Sequence, residues 1–293
     1  MIITSRFRAM GTTIELILDA DNDPVAHTAL MEGRTSILDV EAALSRFDPA
    51  SELSRLNREG FIAPASDVLF DALSLALDAR ADTNGRFDPS VGAAVIAAGY
   101  DRSFDELPAL VQGRAACPSA QGMPAILDES DHSIRLAPGV RIDLGGIAKG
   151  LAAELVAEQL SSIGPCLVSA GGDIAIRGVP SSGHWPVSIT TADSEWVVGL
   201  TDGGLATSGR DRRNWTTTTG AAHHVVDPRT GAPATTDVMR ISVFAPTAVD
   251  AETLATALMI VGSDAAIAEA DQRGYEAIVV TEDGRTLVTG GLS

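Results

Sequence analysis

The 293-residue chain is poor in cysteine, in aromatic residues and in positive charge. It has two cysteines, 4% aromatic residues, and 21 Lys and Arg against 39 Asp and Glu, for a net charge of −18. Cys117 and Cys166 lie far apart and have no CxxC partner, which argues against a disulfide framework and a thiolate zinc site. So acidic a chain repels phosphate backbones and anionic lipid, so neither nucleic-acid nor membrane-surface binding is expected. To handle a phosphate ligand it would need a metal ion or a helix N-terminus.

Long apolar runs and several common nucleotide and hydrolase motifs are also missing. No stretch approaches the roughly 20 apolar residues of a membrane-spanning helix, and the first residues lack the regions of a signal peptide. We therefore expect a cytoplasmic protein without membrane insertion. GxGxxG, GxxxxGK[ST], GxSxG and HExxH are all absent, which removes the dinucleotide-fold, P-loop, α/β-hydrolase and zincin hypotheses.

What is present predicts an α+β protein. Hydrophobic residues make up 45% of the chain, enough for a folded core. Helical periodicity begins at Pro24, after Ser66 as N-cap, near Gly146 and near Asp250. Grouped strands with helices between them favour α+β over a doubly wound sheet, and strands are predicted at 12–18, 133–137, 165–170, 186–190, 195–200, 238–245, 276–281 and 285–289. The loop-rich segment 101–124, with three prolines, is the expected boundary between two lobes.

Two glycine-rich segments carry possible anion chemistry. In residues 142–150 (IDLGGIAKG) a carboxylate, Asp143, is followed by glycines that lead into a helix, with Lys149 in its first turn. Free N–H groups at a helix N-terminus favour anions, although a plain strand–turn–helix with a solvated lysine explains the pattern equally well. Residues 170–173 (AGGD) form a second such strand end, for which an ordinary turn is the stronger interpretation.

Two further segments carry possible acid–base and metal chemistry. His224 stands three residues before Asp227-Pro228 and is a candidate general base, although a single histidine is more often structural. Glu252 and Thr256 are four residues apart and so share one helix face. Their oxygens suit Mg²⁺ rather than zinc, but an acid and a threonine there also serve as ordinary helix-end residues.

The order of these motifs resembles that of the ApbE family of FAD:protein FMN transferases, over nearly the whole chain (1–293 as one domain). The motifs that carry the resemblance are MGT at 10–12, LSRFD at 44–48, SELSRLN at 51–57, FDPSVG at 87–92, IDLGGIAKG at 142–150, AGGD at 170–173, ATSG at 206–209, HVVDPRTG at 224–231 and LATAL at 254–258. The resemblance implies an α+β fold of two packed lobes with mixed sheets and flanking helices, and an FAD groove between the lobes.

The resemblance also implies an activity and a set of site residues. Such enzymes move the FMN half of FAD, with Mg²⁺, onto a Thr or Ser hydroxyl of an acceptor flavoprotein and release AMP. The implied roles are His224 as catalytic base, the Gly146 carbonyl with Glu252 and Thr256 at the metal, and contacts to FAD from Met10, Phe47, Arg86, Phe87, Asp88, Asp143, Lys149 and Val226.

The chain departs from the family pattern at two site positions. Glu252 stands where the family often has Asp, so either Glu252 reaches the ion or Asp250 shares that role. Phe47 stands where Tyr is common, which keeps a stacking ring but loses a hydroxyl. Many members are exported and lipid-anchored, whereas this chain shows no signal, so a cytoplasmic acceptor is expected.

Two alternative functions stay open. With water in place of the acceptor, the same site would be an FAD pyrophosphatase that gives FMN and AMP. The altered metal residue Glu252 also leaves room for a non-catalytic flavin-binding protein that stores or delivers FAD.

Overall fold

A computed structural model describes residues 1–218 and 220–292. The helices are α1 (Asp23–Leu44), α2 (Glu52–Glu59), α3 (Asp67–Asp82), α4 (Gly92–Ala97), α5 (Ala148–Ser161), α6 (Ala248–Leu258) and α7 (Ser263–Arg273), with 3₁₀ turns at Phe104–Glu106 and Gly290–Leu292. The strands are β1 (Ile2–Ala9), β2 (Thr12–Asp19), β3 (Phe61–Ile62), β4 (Ala125–Asp128), β5 (Ser133–Leu136), β6 (Cys166–Ala170), β7 (Asp173–Arg177), β8 (Trp185–Thr190), β9 (Glu195–Leu200), β10 (Gly203–Gly209), β11 (Asn214–Thr217), β12 (Gly220–His223), β13 (Val226–Asp227), β14 (Ala232–Pro233), β15 (Val238–Ala245), β16 (Glu276–Thr281) and β17 (Thr286–Val288).

Local sequence signals set several helix ends. Ser51 and Ser66 accept hydrogen bonds from the third residue beyond them and so cap α2 and α3, since a serine oxygen satisfies an otherwise unpaired N–H. Gly60 ends α2 and Gly274 ends α7 in the left-handed conformation, which glycine adopts without a Cβ clash.

The chain divides into two compact units. Unit 1 comprises Met1–Val40, Ile147–Ser208 and the chain from Thr236 onward. Its centre is an eight-stranded sheet in the order β1-β2-β6-β7-β10-β15-β16-β17. The pairings of β1 with β2, β2 with β6, β6 with β7, and β15 with β16 are antiparallel.

Helices cover one face of this sheet and a hairpin covers the other. Helix α5 packs on β6 and β7, and α6 packs on α5 and β15. Alternate β2 residues, Ile14, Leu16 and Leu18, are fully buried, as the period-two pattern predicts. The β8–β9 hairpin contributes Trp185 to a buried cluster whose other members are Leu167, Ile174, Ile176, Val187, Ile189, Leu205 and Ile278.

Unit 2 comprises Glu41–Gly146 and Gly209–Thr235. It contains a three-stranded sheet in the order β3-β5-β4 and the short pairs β11–β12 and β13–β14. Its buried cluster is built around Tyr100 and Trp215 and also contains Ala94, Val95, Val111, Ala222 and Val226. Residues 101–124 lie inside this unit, and the chain passes between the units near residues 40, 146, 208 and 235 instead.

The predicted α+β class is confirmed, and the predicted strands and long helices coincide with observed elements to within a few residues. Helices α2, α4 and α7 went unpredicted, as did the strands β1, β3, β4, β7 and β10 to β14. In the described part of the chain, no helix is both long and apolar enough to cross a bilayer.

Candidate functional site

Two tight turns lie side by side at one end of the unit 1 sheet. Met10 and Gly11, with φ of 52° and 65°, join β1 to β2, and Gly171 and Gly172, with φ of 70° and 106°, join β6 to β7. The Gly171 N–H donates to the Thr13 carbonyl at 3.1 Å. A Cβ on Gly171 would come within 2.3 Å of the Thr12 hydroxyl oxygen, so this approach requires glycine. The arrangement brings Met10 and the start of β7 to the same end of the sheet.

A buried ion cluster lies where β7, α5 and α6 begin. Lys149, in the first turn of α5, donates from Nζ to Asp173 Oδ2 and, at 2.6 Å, to Glu252 Oε1. Asp173 and Glu252 are 2% and 3% exposed. Lys149 is the one lysine in the sequence, since the other 20 of the 21 basic residues are arginines. An ammonium is a compact point charge on a flexible stem, and the fold uses it once, between two carboxylates.

The charges of the cluster perturb one another strongly. Burial by itself would lower the pKa of Lys149, but the Asp173 and Glu252 carboxylates outweigh it and raise that pKa above its usual range. Burial raises the pKa of Glu252, and the Lys149 ammonium offsets this in part. Two carboxylates face one ammonium, so the cluster holds more acidic than basic groups in a low-dielectric setting, where electrostatic interactions are strong.

Glu252 and Asp250 have different partners, which separates their roles. The Gly150 N–H donates to Glu252 Oε2 at 2.8 Å. Asp250 accepts at Oδ2 from the Thr247 hydroxyl at 2.8 Å, and its N–H donates to that hydroxyl at 3.0 Å. Asp250 and Thr247 therefore form a cap at the start of α6, and Glu252 is the acid that joins the ion cluster.

Hydroxyl groups continue the polar line along α6. The Thr256 hydroxyl lies 3.2 Å from the Ser208 hydroxyl of β10, and Thr256 follows Glu252 by one turn. Within residues 1–218 and 220–292, no group of three or more His, Cys, Asp or Glu has the arrangement of a metal site. Any metal here would therefore need hydroxyl, carbonyl or water oxygens besides the carboxylates.

In unit 2, Arg46 is the centre of a second cluster. Its guanidinium carbon lies 4.1 Å from the centroid of the Phe47 ring and 4.7 Å from that of the Tyr100 ring. Its Nε donates to Asp143 Oδ2 at 2.8 Å, and its Nη1 donates to the Tyr100 carbonyl at 2.8 Å. Asp143 also accepts the Gly145 N–H at Oδ1, at 2.8 Å. Phe47 and Asp143, both predicted to contact FAD, therefore meet at Arg46.

The aromatic residues continue from Phe47 into the core of unit 2. The Phe47 and Tyr100 ring centroids are 5.4 Å apart, and those of Tyr100 and Trp215 are 5.3 Å apart. Phe47 is 38% exposed whereas Tyr100 is buried. Burial raises the pKa of Tyr100, with Arg213 and Arg46 partly opposing it, so its hydroxyl stays protonated at neutral pH.

The predicted contacts at residues 86–88 are held by their own loop. Asp88 is buried and accepts from Arg80 Nε at 2.9 Å and from the Ser90 hydroxyl at 2.7 Å. Phe87 is buried, and Arg86 donates from Nε to the Thr83 carbonyl at 2.9 Å. The side chains of Phe87 and Asp88 thus anchor the loop and leave its backbone as the part that a ligand could reach.

The predicted base His224 follows β12, and its neighbour His223 is more tightly held. His224 Nδ1 lies 3.3 Å from the Arg213 carbonyl. His223 Nε2 lies 3.1 Å from the Ala234 carbonyl, and burial lowers the pKa of His223.

The Val226 side chain belongs to the Tyr100 and Trp215 cluster, so a ligand contact at this position would involve its backbone.

Sequence reasoning found some of these groups and missed others. Lys149 and Glu252 form an ion pair, and Gly146 lies in the turn before α5. Sequence reasoning missed the ion pair of Asp173 with Lys149 and the contact between the Ser208 and Thr256 hydroxyls. It also missed that Arg46 joins Phe47, Tyr100 and Asp143. The AGGD and ATSG motifs and the Arg in LSRFD were the signals that could have indicated them.

Comparison with known proteins supplies the family. The family model described as ApbE family matches residues 10–279. The chain is 31% identical to the FAD:protein FMN transferase of Treponema pallidum (strain Nichols) over 91% of this chain and 80% of that protein. It is 29% identical to the FAD:protein FMN transferase of Haemophilus influenzae over 97% of this chain and 88% of that protein.

Solved structures share the fold. The ApbE protein of Thermotoga maritima MSB8 has a TM-score of 0.86 at 24% identity, covering 100% of this chain and 98% of that one. The apo form of the Pseudomonas stutzeri flavinyl transferase ApbE has a TM-score of 0.82 at 22% identity, and the match covers 100% of this chain and 96% of that one. With a family match that spans most of its length, this chain belongs to the ApbE family.

Proposed function

We propose that this chain is a Mg²⁺-dependent FAD:protein FMN transferase, which moves the FMN moiety of FAD onto a Thr or Ser hydroxyl of an acceptor flavoprotein. The observation that carries the proposal is the buried Asp173–Lys149–Glu252 cluster at the starts of β7, α5 and α6. Support also comes from the relatives, which are named for this activity. The cluster places one fixed cation and an excess of acid together, an arrangement that suits a polyphosphate handled with a metal ion.

The oxygen groups beside the cluster fit Mg²⁺ by their chemistry. Glu252 and Asp173 offer carboxylate oxygens, and Thr256 and Ser208 offer hydroxyl oxygens, all of them hard ligands of the kind Mg²⁺ prefers. The small number of carboxylates matches an ion that keeps several waters and binds substrate phosphates. We assign Glu252 and Thr256, with the Gly146 carbonyl, to this ion. Bound there, Mg²⁺ would supply positive charge to the pyrophosphate of FAD.

The protein groups then have separate tasks in the transfer. Lys149 and the positive end of the α5 helix dipole neutralise phosphate charge. The acceptor hydroxyl oxygen forms a bond to the FMN phosphorus, and the bond from that phosphorus to the oxygen shared with AMP breaks. His224 takes the hydroxyl proton, and AMP leaves with the bridging oxygen. Phe47 offers an exposed ring on which a flavin can stack, and Met10, Asp143 and residues 86–88 complete the FAD contacts.

The test is incorporation of FMN into protein. A candidate acceptor flavoprotein is incubated with FAD, Mg²⁺ and this chain, and intact mass and peptide mass spectrometry follow the product. The expected result is a mass gain of one FMN moiety on a Thr or Ser, with one AMP released for each modification. Lys149→Met is expected to abolish the gain, and Arg58→Met, a change of an exposed cation on α2, to leave it intact.

Two outcomes would contradict the proposal. FMN and AMP released at the same rate with and without acceptor would indicate an FAD pyrophosphatase. Tight FAD binding without AMP release, on any acceptor and with Mg²⁺ present, would indicate a flavin-binding protein without catalytic activity.

A further inference from the structure

The Arg46 guanidinium in unit 2 is fixed in place by the protein around it. Asp143 accepts from Nε and the Tyr100 carbonyl accepts from Nη1, both at 2.8 Å. The Phe47 and Tyr100 rings lie against the guanidinium at 4.1 and 4.7 Å. Two hydrogen bonds and two rings leave a planar group little freedom to turn. The direction of the remaining amino group, Nη2, is therefore fixed too.

That amino group has a hydrogen-bonding capacity which the described residues do not use. Nη2 is shielded from solvent and finds no hydrogen-bond partner in residues 1–218 and 220–292. The Arg46 side chain is 10% exposed. Native proteins rarely leave a buried charged donor unpaired, because its desolvation is then uncompensated. Asp143 is already engaged by Arg46 Nε and by the Gly145 N–H.

The Phe47 ring beside Arg46 Nη2 indicates what kind of ligand group would accept a hydrogen bond from this donor. Phe47 is 38% exposed although it lies against Arg46 and Tyr100. An exposed aromatic ring, packed against a guanidinium that has one unused donor, suits a flat ring system that carries a carbonyl oxygen at its edge. A phosphate would use the guanidinium but would leave the ring without a partner.

We propose that Arg46 recognises the flavin ring of FAD: its Nη2 donates to a carbonyl oxygen at C2 or C4 of the isoalloxazine, which lies against Phe47. The inference rests on the proposed function, in which FAD is the substrate. Besides the FAD contact assigned to it, Asp143 then also positions Arg46 through the ion pair with its Nε. Arg46 thereby selects the flavin half of the substrate independently of its phosphates.

The test measures binding of the two halves of FAD separately. Titration calorimetry and flavin fluorescence follow riboflavin, FMN and AMP binding to the wild type, Arg46→Met and the exposed control Arg58→Met. In Arg46→Met, loss of one charge-assisted hydrogen bond is expected to weaken the binding of riboflavin and of FMN by the same factor, about 10- to 100-fold. AMP binding is expected to stay unchanged, and Arg58→Met is expected to match the wild type.

Other outcomes overturn the inference in distinguishable ways. Unchanged riboflavin affinity in Arg46→Met rules out the contact, and a loss for FMN but not for riboflavin assigns Arg46 to the phosphate. A wild type that binds neither riboflavin, FMN nor FAD contradicts the proposed function itself.

A ligand-side experiment needs no variant and so holds even if Arg46→Met fails to fold. Riboflavin is compared with its 2-thio and 4-thio analogues on the wild-type protein, since sulfur accepts hydrogen bonds weakly. One of the two analogues is expected to bind about 10-fold more weakly than riboflavin. Equal binding of all three would overturn the inference.

Discussion

The Gly150 N–H donates a hydrogen bond of 2.8 Å to Glu252 Oε2, so a carboxylate of α6 caps the first turn of α5. Ile147, at the N-cap position, has no side-chain group that could do this. The contact depends on glycine, since a Cβ at position 150 would lie 2.6 Å from the Ala248 carbonyl oxygen. Glu252 therefore joins the two helices and holds Lys149 at the same time.

The first prediction separates Glu252 from Asp250. Glu252→Gln keeps an oxygen for the Gly150 N–H but removes the charge that faces Lys149, so FMN transfer is expected to fall about 100-fold. Asp250→Asn keeps the α6 cap, because its N–H still donates to the N-cap Thr247 and its side-chain oxygen still accepts from the Thr247 hydroxyl, so it is expected to retain transfer within about twofold. Initial rates of AMP release measure both variants. The opposite ranking would make Asp250 the functional carboxylate.

The second prediction concerns the Thr256 hydroxyl. Thr256→Val keeps the shape but removes an oxygen assigned to Mg²⁺, so the Mg²⁺ concentration for half-maximal rate is expected to rise about 10- to 100-fold. Thr253 is the matched control, because its hydroxyl is occupied by the Val249 carbonyl at 2.9 Å on the same helix. Thr253→Val should leave the Mg²⁺ requirement unaltered. A common shift in both variants would indicate a general effect on α6 and not a ligand at Thr256.

The third prediction compares the adjacent histidines. His224→Ala is expected to lower kcat by about 10²- to 10⁴-fold, the contribution of a general base, with little change in FAD affinity. His223→Ala is expected to keep kcat within about threefold but to lower stability by about 1 kcal/mol, through loss of its bond to the Ala234 carbonyl. Single-turnover rates and thermal unfolding report the two effects. Full kcat in His224→Ala between about pH 6 and 9 would exclude His224 as the base.

The fourth prediction is the acid sensitivity of unit 1. Hydrogen bonds from the side chain and backbone of Ser181 lower the pKa of Asp19 from 3.8 to about 2; the Ser181 N–H lies 2.6 Å from Oδ2. Because the folded-state pKa is depressed, this stabilisation is present above pH 3.8 and is lost as the pH falls towards 2.

Denaturant unfolding of the wild type and Asp19→Asn at several pH values measures that effect. The wild type is expected to be more stable by about 2 kcal/mol at pH 7, with the difference shrinking below about pH 4. A difference that stays constant down to pH 2 would show that the Asp19 charge contributes nothing.

Local features of the sequence determined the α+β class and most of the long elements. Alternation at Ile14, Leu16 and Leu18 predicted β2, and Ser66 marked the start of α3 at the observed residue. These patterns are readable because a strand repeats every two residues and a helix every 3.6, and because a cap acts within three residues. Elements such as β13 and β14, two residues each, are too short to show a period.

The tertiary structure decided which of the chemically capable residues meet. Asp173 lies 24 residues from Lys149 and Glu252 lies 103 residues from it. Arg46 reaches the Tyr100 carbonyl across 54 residues. The sequence by itself determined that an acid, a lysine and glycine-rich turns were available, and its family resemblance indicated FAD. Sheet register and helix packing decided which carboxylates share the lysine, and that Arg46 Nη2 finds no partner within residues 1–218 and 220–292. Such long-range contacts leave no periodic trace in the chain.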